Sequence, residues 1–499
     1  MTGFISRPRI GWVFGPVLFL ALLLLPEGAA GLSPAQRTML AVVALMVVWW
    51  VTEALPLAAT AMLPIALYPL LGILPAKEAT RSYAHPVLFL FMGGFLIALA
   101  MQKWRLHERL AMAFMLRVGT EPRRILLGFI VVTAFLSMWI SNTATTMMML
   151  PIVLSVLACF PGEAKEFALA LSLSIAYAAN VGGLATPIGT APNAVMLGMV
   201  GEIFPEAPRI SFVGWMTAGL PVSITMALLI WGYFAWRIRR VAKEAVSPRE
   251  VFEERLRALG PMRTGERIVA VVGGATVLLW ISRADIRFGE TLTFRGWANL
   301  LPWPDMVGDG TVAMAMALLL FALPAGGGER VLDWTWAARL PWHVILLLGG
   351  GFALARGFAA STLDEWVGER LHALGALPPW ALLLGVCFAL IFITEVTSNT
   401  AIATTTLPVL AALAKAISIH PIALMLPATF SCECAFMLPT ATPPNAIVFS
   451  SGRVSIPQMA RTGFILNLLA TLVLTLMAFF VIYPMWGISL SEAPAWLSH

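Results

Sequence analysis

Charge is scarce in this chain. Lys, Arg, Asp and Glu make up 12% of its 499 residues, against about a quarter in an average soluble domain. That excludes a disordered chain and an ordinary soluble enzyme. Cysteine is scarce too: Cys159, Cys387, Cys432 and Cys434 all lie in apolar context, at no metal-ligand spacing. This excludes a disulfide-stapled secreted domain, and the four read as small buried hydrophobes. What remains is apolar, with 59% hydrophobic residues and a mean hydropathy of +0.86. The composition is that of an all-α polytopic membrane protein, and the length allows on the order of ten to twelve spans. The net charge of +6 is no sign of nucleic acid, because the basic residues lie in short interspan segments, as the positive-inside rule requires.

Apolar runs cover 11–25, 39–53, 56–74, 86–102, 124–160, 166–204, 212–236, 266–281, 309–323, 341–358, 378–414, 420–451 and 460–487. Four of them carry a polar break. Runs 124–160 and 378–414 break at Ser141-Asn142-Thr143 and Ser398-Asn399-Thr400. Runs 166–204 and 420–451 break at Thr186-Pro187-Ile188-Gly189-Thr190 and Thr440-Ala441-Thr442-Pro443-Pro444-Asn445. Irregular backbone at membrane depth is tolerated only where protein buries it or it lines a cavity. The two Ser-Asn-Thr runs therefore read as tips of re-entrant helical hairpins, and the two proline-containing runs as discontinuous spans. Eleven true spans are expected, with the N-terminus cytoplasmic and the C-terminus outside. On that topology 22 of the 32 basic residues fall inside. The outer loop 282–308, with Arg283, Arg287 and Arg295, fits least well. The first run, with Ala29-Ala30-Gly31 after it, is similar to a signal peptide. It is taken as a retained span because the same character continues through ten more segments. Segments 104–118 and 361–374 are amphipathic and expected to lie along the membrane surface, one on each side.

The sequence repeats itself. At an offset of 257, Gly93-Gly94-Phe95 falls on Gly350-Gly351-Phe352, Pro122 on Pro379, and Ser141-Asn142-Thr143-Ala144 on Ser398-Asn399-Thr400-Ala401. From 93 to 151, 17 of 59 positions are identical without a gap, where roughly a tenth is expected by chance. At an offset of 252, Thr190, Pro192 and Asn193 fall on Thr442, Pro444 and Asn445. The expected organisation is an N-terminal span (1–37), a first repeat (38–237, hairpin 124–160), a charged cytoplasmic linker (238–265), a second repeat (266–487, hairpin 378–414) and a tail (488–499). Each repeat has an odd number of spans, so the two are inverted. Inverted repeats with paired broken helices point to a secondary transporter with a midplane site.

The breaks supply Ser, Thr and Asn oxygens and free backbone groups, and no Lys, Arg or His. Helix N-terminal ends favour anions, and C-terminal carbonyls with side-chain oxygens suit a small hard cation. A dianion bound there has no side-chain cation beside it, so co-bound cations have to compensate its charge. Isolated Ser, Thr and Asn in membrane helices are commonly interhelical glue. Two Ser-Asn-Thr runs in register, each followed by a Pro-Asn break, are not explained that way. Nor do the breaks hold the paired aspartates, His-Glu-x-x-His or Ser/His pair of an intramembrane enzyme.

These residues resemble the divalent anion/sodium symporter family, which carries dicarboxylates, citrate or sulfate. The resemblance rests on the twin Ser-Asn-Thr runs, Thr-Pro-Ile-Gly-Thr-Ala-Pro-Asn at 186–193 and Leu-Pro-Thr-Ala-Thr-Pro-Pro-Asn-Ala-Ile-Val-Phe at 438–449. Leu348-Gly349-Gly350-Gly351 and Thr52 to Pro56 add to it, and it covers roughly 40–490. It implies a homodimer in the cell membrane, with a fixed scaffold and a transport domain moving as an elevator. It also implies at least two sodium ions, one at Ser137, Ser141, Asn142 and Gly189 and one at Thr394, Ser398, Asn399 and Ala441. Ser137 and Thr394 sit one helical turn before the Ser of each motif. The substrate, a C4-dicarboxylate such as succinate in the first instance, would meet Asn142, Thr143, Asn399 and Thr400, with Thr190, Thr442 and Pro443 lining its pocket. Some relatives are sodium-independent exchangers with protein cations near the site. The hydroxyls at both ion positions here favour symport.

Glu433, one to two turns before the second break, departs from the small or weakly polar residues usual there. An intramembrane carboxylate is a functional candidate by default. It offers a cation site, proton coupling or pairing with a neighbouring helix. Glu395 matches the family's Thr-Glu and is expected to orient its hairpin. Glu53 is expected to be structural, and His85 and His343 interfacial. Sulfate, citrate and succinate all remain open as substrates.

Overall fold

Almost every apolar run becomes one helix or two. Hydrocarbon leaves backbone groups no partner but each other, and a helix satisfies them within the segment. The computed structural model describes residues 7–119, 121–160, 165–240, 249–288, 292–490 and 492–497. Seven of its helices are long and apolar enough to cross a membrane: Pro34–Thr52, Ala76–Lys103, Lys165–Ala185, Phe212–Arg237, Thr264–Ile281, Trp342–Ser361 and Ile456–Trp486. The four other expected spans are represented by shorter helices: Arg7–Leu23, Leu57–Leu70, Asp309–Ala322 and Pro421–Cys432. At 1.5 Å per residue, a 14-residue helix reaches about 21 Å, short of a hydrocarbon core of about 30 Å. Length and composition therefore give seven spans, or eight with the bent pair Leu363–Ala376 and Pro379–Thr394, where sequence periodicity suggests eleven.

Starts and stops follow local chemistry. Ser33 caps Pro34–Thr52 in a capping box with Gln36, satisfying two otherwise orphan donors. The imidazole Nδ1 atoms of His85 and His420 accept from Val87 N and Ile422 N, each 3.3 Å away, at two helices that open on proline. The amphipathic segments form Leu106–Met115 and Leu363–Leu371, and the second, continued to Ala376, turns by 120° from Pro379–Thr394. Both start from a non-glycine residue with positive φ, Arg105 (56°) and Thr362 (53°), which are 257 positions apart.

The all-helical expectation is corrected in two loops. Residues Ile286–Phe288 pair with Leu292–Phe294, and Pro324–Gly326 with Glu329–Arg330, as antiparallel two-stranded ribbons. Both lie outside the apolar runs, where water can satisfy strand edges. Of the charged linker, Arg249–Ala258 is helical, and residues 241–248 lie outside the described residues. So do residues 1–6 of the N-terminal segment and residues 491, 498 and 499 of the tail.

Packing is reciprocal. A Cβ on Gly93 would lie 2.6 Å from the backbone of Ala313, and one on Gly350 would lie 2.3 Å from the carbonyl oxygen of Ala61. Only glycine lets these helices approach so closely. Gly350 follows Gly93 by 257 positions and Ala313 follows Ala61 by 252, so each half lends the other the same contact. Ion pairs between distant segments also sort by side. Lys103–Asp333, Arg109–Glu266 and Arg237–Glu166 join segments that the charge pattern groups on one side. Arg283–Asp309, Arg356–Glu78 and Lys415–Asp364 join segments of the other.

Candidate functional site

The two Ser-Asn-Thr runs sit at the turns of helix–turn–helix hairpins. The first hairpin runs Pro122–Ser137 and Asn142–Ala158, the second Pro379–Thr394 and Asn399–Ala416. In each, the motif serine caps the returning helix. Ser141 Oγ accepts from Ala144 N at 3.3 Å, and Ser398 Oγ from Ala401 N at 3.5 Å. A serine at the N-cap stops one helix and starts the next, which explains a break at this residue type.

Behind each tip lies a cluster of three oxygens. Ser137 Oγ is 2.6 Å from Asn142 Oδ1 and 2.7 Å from the Ala179 carbonyl oxygen. Thr394 Oγ1 is 2.6 Å from Asn399 Oδ1 and 3.2 Å from the Cys432 carbonyl oxygen. A hydroxyl carries one hydrogen, so it cannot donate to both acceptors at once. Three oxygens this close, one of them a carbonyl near the C-terminal end of a broken helix, are an arrangement that can hold a small hard cation. Ser137 and Thr394 are fully buried.

The two proline-containing breaks are built alike. Lys165–Gly182 and its short extension end before Thr186, and Ala191–Ile203 restarts with Thr190 as N-cap. Pro421–Cys432 ends before Glu433, and Pro443–Ser450 restarts with Thr442 as N-cap. Each loop is strapped by the asparagine of its Pro-Asn pair. Asn193 Nδ2 donates to the carbonyls of Gly183 (2.9 Å) and Thr186 (2.8 Å). Asn445 Nδ2 donates to those of Ala435 (3.0 Å) and Leu438 (3.1 Å), the positions 252 further on. In the first loop Gly183 and Gly189 meet backbone to backbone: a Cβ on Gly189 would lie 2.3 Å from Gly183 O.

Both tips and both breaks open into one cavity of about 670 Å³. Ser141, Asn142, Thr143, Gly189, Thr190, Ser398, Asn399, Thr400, Ala441, Thr442 and Pro443 all line it. Of the residues assigned from the sequence to ions or substrate, only Ser137 and Thr394 are not among the described lining, and both are fully buried. The four N-caps Ser141, Ser398, Thr190 and Thr442 all face this space. Each helix N-terminus carries roughly half a positive charge, so four bring on the order of +2 to the cavity wall. The cavity can therefore attract an anion while the oxygen clusters behind two of its corners attract cations.

Glu395 lies in the turn of the second hairpin and points away from the cavity. Its carboxylate accepts from the backbone N–H groups of Phe436, Met437 and Leu438 (2.7, 2.8 and 3.0 Å) and from Asn467 Nδ2 (2.7 Å). It ties the hairpin tip to the loop of the second break. Glu433 lines the cavity and is 3% exposed. Its Oε1 accepts from Thr190 Oγ1 at 2.5 Å and its Oε2 from Asn142 Nδ2 at 3.3 Å, and the Asn399 side chain also hydrogen-bonds it.

The rest of the lining departs from the expectation. Glu53, expected to be structural, and His343, expected to be interfacial, line the cavity, and so does Arg7. They lie far from the breaks in sequence, and only tertiary folding brings them there. Sequence reasoning also missed Asn180, a fully buried polar residue whose Nδ2 donates to Thr442 Oγ1 at 3.2 Å. Its signal was an asparagine inside an otherwise buried apolar helix. The carbonyls of Ala179 and Cys432 had no signal, because every residue has one.

Over residues 11–490 the chain matches the family described as the sodium:sulfate symporter transmembrane region. A sodium-dependent dicarboxylate transporter, SdcS, of Staphylococcus saprophyticus is 39% identical to it over 496 residues, covering 97% of this chain and 93% of the relative. SdcS of Staphylococcus aureus is also 39% identical, over 98% of this chain and 94% of its own length. Among solved structures, the Alcanivorax borkumensis YdaH transporter is similar with a TM-score of 0.55 at 14% identity, covering 89% of this chain and 98% of its own. Neisseria gonorrhoeae MtrF is similar with a TM-score of 0.58 at 11% identity, covering 96% and 100%. These two likenesses concern the fold alone.

Proposed function

The chain belongs to the sodium:sulfate symporter family, and from that premise we propose that it is a sodium-coupled symporter that imports a divalent anion, a C4-dicarboxylate such as succinate, across the cell membrane. It is a multi-pass membrane transporter and not an enzyme. The observation that carries the reading is the pair of matching oxygen clusters at two corners of one cavity walled by four helix N-termini. The dicarboxylate named for both SdcS relatives supports the choice of substrate.

In this reading Ser137, Ser141, Asn142 and Gly189 hold one sodium, with the Ala179 carbonyl. Thr394, Ser398, Asn399 and Ala441 hold the second, with the Cys432 carbonyl. The substrate carboxylates meet Asn142, Thr143, Asn399 and Thr400, and Thr190, Thr442 and Pro443 close the pocket. Each asparagine then serves both ligands. Its oxygen faces sodium, and it stands at the cavity wall where the anion binds. Sodium fixes the tip, the fixed tip offers its N–H groups to the anion, and the anion in turn stabilises bound sodium, a coupling that is reciprocal by linkage. Reciprocal contacts between the halves support two inverted repeats about a pseudo-two-fold axis, and the distribution of basic residues supports a cytoplasmic N-terminus and an outer C-terminus. The cavity lining combines the hairpin tips and breaks with residues of the first helices and of 343–347. That combination supports a transport domain sliding as an elevator against a scaffold, and the scaffold is the expected dimer surface.

The test is uptake of labelled succinate into proteoliposomes under an inward sodium gradient, and with potassium in its place. Accumulation only with sodium is the expected result. Arg7 and His343 on the cavity wall favour one second reading, sodium-independent exchange with protein cations. Equal uptake in both salts, driven by succinate loaded inside, is the result that replaces symport by exchange.

A further inference from the structure

The exceptions to the positive-inside rule are not scattered. Of the ten basic residues that the charge pattern leaves on the outer side, four line a single cavity of about 580 Å³: Arg81, Arg209, Arg283 and Arg356. They come from four separate stretches of chain, and Arg283 belongs to the loop that fits the rule least well. This cavity shares no described lining residue with the central one. Arginine gathered on the disfavoured side of a membrane is not explained by topology. Three of the four are held. Arg283 Nε donates to Asp309 Oδ1 at 2.5 Å and its Nη1 to the Val307 carbonyl at 3.1 Å. Arg356 donates to Glu78 and stands 3.9 Å from Glu202, and Arg81 reaches the same Glu78 at 4.0 Å. Three carboxylates therefore meet four guanidinium groups, and Arg209 is left over. It sits exposed between Ala191–Ile203 and Phe212–Arg237, with no hydrogen-bond or ion-pair partner among the described residues.

The same wall offers a second free donor. His85 Nδ1 accepts from Val87 N at 3.3 Å, which places the hydrogen of the neutral ring on Nε2. Nε2 has no hydrogen-bond partner among the described residues. It lies against Gly201, another lining residue, whose Cβ would be 3.7 Å away. Two long helices also begin here, Pro86–Lys103 and Asp309–Ala322. They are packed so closely that a Cβ on Gly310 would lie 3.0 Å from the Pro86 carbonyl oxygen. Each helix N-terminus adds roughly half a positive charge. A free guanidinium, a free ring N–H and two positive helix ends around one cavity are complementary to a carboxylate.

We propose that this cavity is an outer anion site, in which Arg209 and His85 Nε2 take up a small dicarboxylate dianion before it enters the central cavity. A site of one sign, open to the side from which substrate arrives, raises the local substrate concentration and its rate of entry. Protein groups supply the positive charge here, so binding needs no sodium. That separates this site from the central cavity, where bound sodium compensates the dianion. The inference rests on the import reading for its substrate and direction of travel, and adds a second site to it.

The experiment is equilibrium dialysis of labelled succinate against the purified protein in sodium-free, low-salt buffer, with uptake into proteoliposomes alongside. The wild-type protein is expected to hold succinate weakly without sodium and to release it as ionic strength rises. Arg209→Glu abolishes this binding, Arg209→Gln weakens it several-fold and Arg209→Lys keeps it. Arg209 has no partner to lose, so these variants are expected to fold. His85→Asn retains an N-cap, removes Nε2 and also weakens binding. Asn142→Ala, in the central cavity, leaves the sodium-free binding as it was. In uptake at saturating sodium, Arg209→Gln raises the half-saturating succinate concentration several-fold, an effect that fades as ionic strength rises and leaves the half-saturating sodium concentration in place. No sodium-free binding by the wild type, undiminished binding by Arg209→Glu, or loss of binding in Asn142→Ala overturns the site. An unchanged half-saturating succinate concentration in Arg209→Gln overturns its part in loading the transporter. Uptake that ignores sodium, with Arg209-dependent binding intact, overturns the symport reading and leaves this site standing.

Discussion

Removing a single hydroxyl tests the oxygen clusters with the least disturbance. Ser137 Oγ has two oxygen neighbours at 2.6 and 2.7 Å and one hydrogen to share between them. Without sodium, Ser137→Ala loses one hydrogen bond, which costs about 1 kcal/mol, and relieves the oxygen contact left without a proton. With sodium bound, it loses a ligand to a full charge, worth about 1.5–3 kcal/mol. The difference falls on sodium affinity, and 1.4 kcal/mol is tenfold. Ser137→Ala is therefore expected to raise the half-saturating sodium concentration for succinate uptake roughly tenfold, with a smaller effect on succinate affinity at saturating sodium. Thr394→Ala is expected to do the same at the second site. The swaps separate chemistry from shape: Ser137→Thr and Thr394→Ser exchange the residues of the two halves, keep both hydroxyls, and are expected to stay within about threefold of wild type, under 1 kcal/mol. Sodium titration of uptake is the assay, with sodium-dependent thermal stabilisation in detergent as a second readout. Wild-type sodium dependence in both alanine variants, or equal damage from the swaps, refutes the assignment.

Four further outcomes follow from the geometry. Asn142→Ala and Asn399→Ala each remove an ion ligand and a substrate contact together, so each abolishes uptake while the protein still elutes as a folded species on size exclusion. Glu395→Ala leaves three backbone N–H groups and Asn467 Nδ2 unpaired, and is expected to destabilise the protein by more than about 3 kcal/mol, read as a large drop in thermal unfolding temperature. Gly189→Ala puts a methyl 2.3 Å from a backbone oxygen and has to displace the first break, which costs about 1–3 kcal/mol. It weakens the first sodium site and spares the second, seen as a lowered cooperativity of sodium activation. Arg109→Ala leaves Glu266 unpaired, a buried partner held at 2.5 Å, and is expected to cost about 3–5 kcal/mol without changing the sodium dependence of the protein that remains folded.

Much of the site was legible because membrane depth makes polar residues informative. A Ser-Asn-Thr run inside an apolar stretch has few structural uses, and its recurrence 257 residues later identified both hairpins. The helices do turn there, with Ser141 and Ser398 as N-caps. The breaks were legible from their prolines, which sit in the first turns after Thr190 and Thr442. The number of continuous spans was not, because short helices such as Asp309–Ala322 are as apolar as long ones and only their ends reveal the difference. The carbonyls of Ala179 and Cys432 were hidden because backbone chemistry is the same at every position. Arg7 and His343 reach the cavity through tertiary packing over hundreds of residues, which no local pattern encodes. The two small ribbons were missed because strands of two or three residues carry too little alternation to register.

The most direct measurement of the central claim is a structure of the protein in sodium succinate compared with one in choline chloride. The account predicts ion density within each cluster, between Ser137 Oγ, Asn142 Oδ1 and the Ala179 carbonyl and between Thr394 Oγ1, Asn399 Oδ1 and the Cys432 carbonyl. It predicts succinate density among the four N-caps, and neither feature in choline. Succinate bound elsewhere, or bound at the N-caps with both clusters closed in on themselves as in choline, contradicts it.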